Sequence, residues 1–215
     1  MGYNRPMALD LHQTLDGKWE DGTRPKDLYA AHVGKRPKTF VKQLISGLRA
    51  GNRRVENGCA ELCSLLSADR PELLAPHVDL FVALLSSREK VVRWEAVCTL
   101  GNLAAVDRGG VTPRQVARLS DFLIDESIVL QGHAVRALTK IAVAHPQTAG
   151  RVFKALTGAA DRFPGNRIGF VIEALGELAA VEGFDKKVKR FVEPYLASDV
   201  NVVAKKARRV LKKLS

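Results

Sequence analysis

Apolar residues through the middle of the chain recur three and four positions apart, the spacing of one face of an α-helix. Residues 84–105, LLSSREKVVRWEAVCTLGNLAA, show it well, and a polar break at residues 86–89 divides them into two helices. The pattern then returns. Leu44, Phe81, Leu119, Leu156 and Val192 stand 37, 38, 37 and 36 residues apart, and Leu48, Leu85, Leu123, Ala160 and Leu196 each follow four later. In the second helix of each copy, Cys59, Ala96, Ala134, Val171 and Ala207 are followed four later by Cys63, Leu100, Leu138, Leu175 and Leu211. Three further on come Leu66, Leu103, Ile141, Leu178 and Leu214. One register therefore predicts five copies of a two-helix unit, at about residues 37–69, 70–110, 111–145, 146–183 and 184–215. One helix pair cannot cover its own apolar stripe, so the copies must stack. Burial of the Leu, Ile, Val and Phe positions, at ~25 cal/mol per Å² of apolar surface, is the main source of stability. Small residues such as Ala96 and Ala134 let the helices approach.

The punctuation between helices agrees with this division. Thr112-Pro113-Arg114-Gln115 reads as a capping box with proline at the first helical position. Pro71 and Pro146 are expected to open the first helices of copies two and four. Asn166 is expected to cap the second helix of copy four, after the breaker Phe163-Pro164-Gly165.

Leu84-Leu85, a polar turn, Val92-Arg93, Ala96, Leu100-Gly101 and Leu103 together resemble the signature of the HEAT-repeat family, a HEAT-like or armadillo-type α-solenoid. Ala174-Leu175-Gly176-Glu177-Leu178-Ala179 repeats its last part. The resemblance covers roughly residues 38–215. The Val-Arg pair is complete only in copy two. Copy four has Arg167 at the valine position, which predicts a distorted start to its second helix. The resemblance implies an all-α, right-handed α-solenoid (an α-α superhelix) of about five helix pairs, whose second helices line a concave binding face. Residues 1–36 do not fit the register and are read as an N-terminal extension, with short helices at 7–15 and 27–33. They either cap the first repeat or form an arm in which Tyr3, Trp19 and Tyr29 meet a partner or the chain's own groove.

Charge changes the picture less than its total suggests. The formal net charge is +11, but residues 184–215 carry ten basic and three acidic groups, and the first 183 residues are close to balanced. The last helix presents Lys205, Lys206, Arg208, Arg209, Lys212 and Lys213 around a stripe of Val203, Ala207, Val210, Leu211 and Leu214. Lys186, Lys187, Lys189 and Arg190 lie on the helix before. This is either the polar outer face that a terminal repeat needs or a site for a polyanion or acidic partner. On the expected inner face, residues two before each core position are Glu61, Cys98, Arg136, Glu173 and Arg209. Those two after are Leu65, Asn102, Lys140, Glu177 and Lys213. Both signs occur there. A track for DNA phosphates needs continuous Lys and Arg, so the mixed ladder favours a protein partner.

No catalytic constellation emerges. Cys59 and Cys63 fall on core positions, and no neighbouring His or Cys pair completes a metal site. His12, His32, His77, His133 and His145 form no ligand motif, and no phosphate-binding glycine loop or nucleophile elbow occurs. Some HEAT-like proteins are DNA alkyl-base glycosylases with a concave aromatic and acidic cluster. Trp94 resembles one element of it, but the position one turn later is Cys98, and copies three and four offer Gly132-His133 and Gly169-Phe170. No apolar run is long enough to span a membrane, and the start MGYNRPMALD lacks the apolar core of a signal peptide. With only three cysteines, the expected compartment is the cytoplasm.

The expectation is a non-enzymatic scaffold without cofactor or metal. It binds a protein through Arg93, Trp94, Arg136, Lys140, Glu173 and Glu177. Nucleic-acid binding through Lys205, Lys206, Arg208, Arg209, Lys212 and Lys213 is the alternative, and a base-excision enzyme is a further one.

Overall fold

The computed structural model describes residues 10–34 and 37–214. Two short helices, α1 (Leu11–Asp16) and α2 (Pro25–His32), precede five helical layers. These are α3 (Pro37–Gly47) with α4 (Arg53–Asp69), α5 (Val78–Leu84) with α6 (Lys90–Leu103), α7 (Val111–Arg114) and α8 (Val116–Asp121) with α9 (Ile128–Ala144), α10 (Ala149–Gly158) with α11 (Ile168–Leu178), and α12 (Asp185–Val192) with α13 (Asn201–Lys213). No strand occurs among the described residues. The second helices stack in chain order, α4 on α6, α6 on α9, α9 on α11 and α11 on α13. Each first helix packs on the second helix of its own layer. The fold is an α-solenoid.

Burial follows the register. Leu44, Leu119, Leu156 and Val192 are fully buried and Phe81 nearly so, as are Cys63, Leu100, Leu138 and Leu175. The register loosens at the last layer. Leu196, in the 3-10 turn before α13, is 41% exposed, and Leu211 is half-buried on α13, which among the described residues has a second helix beside it on one side only. Backbone meets backbone closely between α6 and α9. A Cβ built on Gly101 would stand 2.7 Å from Ala137 Cα, so glycine is required for that approach.

The helix starts differ from the sequence expectation. Thr112 does not cap a helix. Gly110, at φ 63°, turns the chain into α7, and the buried Asp107 carboxylate accepts from the Thr112 backbone N–H at 2.6 Å. A carboxylate on a free N–H at a helix start is a stronger cap than a hydroxyl. Asn166 caps nothing either. It lies inside a 3-10 turn, Gly165–Arg167, that precedes α11, so the start of this helix is distorted where Arg167 replaces valine. Pro71 and Pro146 open short 3-10 turns, and the helices α5 and α10 begin later. Elsewhere ordinary caps operate: Asn52 accepts from Arg54 and Val55 N–H, and Ser127 accepts from Leu130 N–H.

Helix α1 packs on α3 and α4, and α2 packs on α4, burying Leu11, Leu15 and Leu28. Trp19 and Tyr29 are partly buried against the core. The Trp19 indole donates to Leu15 O at 2.9 Å, and the Tyr29 hydroxyl donates to Asp69 Oδ2 at 2.6 Å. Tyr3 and the first part of the helix expected at 7–15 lie outside the described residues.

Candidate binding face

The ten ladder positions on the second helices all escape burial. Glu61, Leu65, Cys98, Asn102 and Glu173 are half-buried, and Arg136, Lys140, Glu177, Arg209 and Lys213 are exposed. They share one face because two residues to either side of a buried position on a helix point away from the core. That face curves inward. Ser67 of α4, Asn102 of α6, Lys140 of α9 and Glu177 of α11 line a single recess of about 580 Å³. A second recess of about 450 Å³ continues from Glu177 towards α13, lined by Arg136, Phe170, Glu173, Arg209 and Lys213.

The two halves of the face differ in chemistry. At the α4–α6–α9 end the polar groups are spent on one another. The Cys98 thiol meets His133 Nδ1 at 2.8 Å, and Asn102 donates to Ser67 Oγ at 2.8 Å. Lys140 Nζ donates to Asn102 Oδ1 at 2.5 Å. Burial raises Glu95 above the usual carboxylate range; hydrogen bonds from Ser64 and Trp94 oppose the rise, and Glu61 adds to it. Burial also raises Glu61, with Lys26 pulling it back. Burial, followed by the Glu95 charge, pushes the Cys98 thiol up to about 12. Burial and then the Arg136 charge lower His133. Cys98 and His133 therefore meet as neutral thiol and neutral imidazole, the opposite of an activated thiolate.

At the α9–α11–α13 end the groups are charged and reach solvent. Phe170, 36% exposed, has Lys206 Nζ 5.2 Å and the Arg136 guanidinium 6.0 Å from its ring centroid. Glu173 accepts from Lys206 Nζ at 2.8 Å and also pairs with Arg209. Among the described residues Arg136, Lys140 and Lys213 form no ion pair.

The structure thus brings Arg136, Glu173 and Glu177 around one recess and places Lys140 with Glu177 in the next. Trp94 sits at the margin of the face, partly buried against the core. Arg93 does not belong with them. At about 100° per residue it lies roughly 140° around α6 from Cys98, and its buried Nε has no hydrogen-bond partner among the described residues. The six-residue basic set also divides. Lys206 and Arg209 turn to Glu173, whereas Lys205, Arg208 and Lys212, three and four apart, are exposed on another side of α13. Lys213 lines the groove.

Sequence reasoning missed Glu95 and passed over Phe170 as a contact. Glu95 follows Trp94 directly, and its distance of 34 residues from Glu61 was the available signal. Cys59 and Cys63 are fully buried, and all three cysteines are free. Among the described residues no group of His, Cys, Asp or Glu could hold a metal ion, and no helix is long and apolar enough to cross a membrane.

No family model matches the chain, and no curated protein matches it. Solved structures do. An engineered protein from a structural genomics consortium matches with a TM-score of 0.64 at 20% identity, over 96% of this chain and 97% of the other. A designed armadillo repeat protein in complex with peptide (KR)4 matches with a TM-score of 0.67 at 18% identity, over 95% and 90%. A computationally designed armadillo repeat protein for modular peptide recognition matches with a TM-score of 0.61 at 18% identity, over 94% and 89%. At these identities the likeness is one of fold: the chain folds as a repeat solenoid of the kind used in designed armadillo proteins.

Proposed function

We propose that this chain is a non-enzymatic, HEAT-type scaffold that binds an extended segment of a protein partner along its inner face, residues 10–34 serving to cap the first repeat. The observation that carries the reading is the pair of adjoining recesses across α6, α9, α11 and α13, which share Glu177, with an exposed aromatic ring and, among the described residues, cations outside any ion pair at one end. The use of similar solenoids for peptide recognition supports it. Base excision is disfavoured because Trp94 is partly buried against the core and the position one turn later on α6 is Cys98, not a carboxylate. The test is selection from a random peptide library on the full chain, repeated with Arg136→Glu/Lys140→Glu. Peptides retained by the parent and lost by the variant, at unchanged circular dichroism, support the groove. Equal retention removes it.

A second reading has its own observation. Lys205, Arg208 and Lys212 form an exposed single-sign row on α13 and have no ion-pair partner among the described residues. A nucleic-acid role for this row predicts binding of duplex or single-stranded DNA or RNA that falls steeply with salt. No affinity at low salt ends it.

A further inference from the structure

We infer that the α9–α11–α13 end of the groove takes an acidic segment carrying an apolar or aromatic side chain, and that Glu173 is a built-in competitor for it. This rests on the groove being the binding face. Arg136, Lys140, Lys206, Arg209 and Lys213 stand on or beside the two recesses, against only Glu173 and Glu177. Five cations to two carboxylates leave the groove electropositive, so a partner of the same charge is excluded and an acidic one is attracted. Phe170 gives the apolar floor, with Arg136 and Lys206 over its ring.

Glu173 occupies the position a ligand carboxylate would take. Its two oxygens hold Lys206 and Arg209, one each. An incoming Asp or Glu must share those cations or displace Glu173 from them. The internal pair therefore lowers affinity for acidic ligands. The carboxylates Glu173 and Glu177 also interrupt any phosphate track, and one exposed ring is a poor stacking platform, which favours peptide over a nucleic-acid strand. Two interhelix steps of about 9 Å, from α9 to α13, spanned by a chain of about 3.3 Å per residue, call for a segment of roughly six residues.

The test is fluorescence anisotropy on the full chain with labelled peptides of about ten residues, alternating Leu or Phe with Glu, with Lys or with Ser, and with oligothymidylate. The Glu peptide is expected to bind about tenfold or more tightly than the Lys peptide at low salt. Glu173→Gln is expected to tighten the Glu peptide about three- to fivefold and to weaken the Lys peptide, as a freed cation pair requires. Glu177→Gln, which removes a carboxylate that forms no ion pair among the described residues, is expected to act in the same direction but less. Tighter binding of the Lys or Ser peptide, tighter binding of oligothymidylate, or no gain with Glu173→Gln overturns the inference. If the Lys or Ser peptide binds and Phe170→Ala abolishes it, the groove stands and only the acidic preference falls. If no peptide binds, both fall.

Discussion

Glu95 and Glu173 stand on the inner sides of α6 and α11, and the surroundings give them opposite characters. Glu95 is sunk among Ser64, Trp94, Cys98 and a second carboxylate, Glu61, and burial without a cation raises it. Glu173 is about one-third exposed and lies between Lys206 and Arg209. Two carboxylates on the same side of the stack, five residues before Leu100 and two before Leu175, thus differ in character. The local dielectric and the nearest countercharge decide whether a carboxylate is a burden on folding or a partner in a surface network.

Three sets of measurements would break or sharpen this contrast. The largest effect is expected at the α6–α9 joint, inside the desolvated half. Gly101→Ala drives a methyl group into the α9 backbone at Ala137 and is expected to cost about 1–3 kcal/mol in urea unfolding. Gly132→Ala is the matched control. It has nothing within 4 Å of the added Cβ and is expected to gain roughly 0.5–1 kcal/mol from helix propensity. Equal effects would mean that the α6–α9 approach is not constrained.

The next pair makes one substitution in each half. A carboxylate raised in the folded state favours folding below its unfolded value, and that contribution is lost as pH rises through the folded value. Glu95→Gln should therefore raise the melting temperature at pH 8 and lose the advantage as pH falls below the usual carboxylate range. Glu173→Gln should lower stability near neutral pH by about 1 kcal/mol or less, and high salt should erase the loss. The same sign for both at pH 8 would erase the distinction between the halves.

The smallest change concerns a rate. With its thiol pushed up to about 12, Cys98 should react with iodoacetamide at pH 8 at least about a hundredfold more slowly than a free cysteine. Glu95→Gln should speed it, because the Glu95 charge is the second cause of the rise. Labelling of Cys98 at the rate of a small thiol would show that this end of the face is not desolvated.

How much of the molecule could be read beforehand follows from which interactions are local. Leu100, Leu138 and Leu175 were legible because a helix must bury one stripe and the stripe has a fixed period. Arg93 was misplaced because its neighbour Trp94 does reach the margin of the face, and one residue turns a helix by about 100°. Thr112 and Asn166 were misread because a cap depends on where the chain turns. The left-handed Gly110 and the 3-10 turn at Gly165–Arg167 moved those starts. The ladder of Arg136, Lys140, Glu173 and Glu177 was found by counting from the core. The Glu173 pairings, the exposed Phe170 ring and the Glu95 cluster were not, because each needs the lateral stagger between neighbouring helices.

The chain by itself determined the all-helical stack, its repeat length and the identity of its core, since these follow from periodic burial along each helix. Only the tertiary structure decided which cations Glu173 holds, that Cys98 meets His133, and that one end of the inner face is desolvated and the other charged. Those outcomes depend on Å-scale offsets between helices that are far apart in sequence, and on how much water each offset leaves beside a charge.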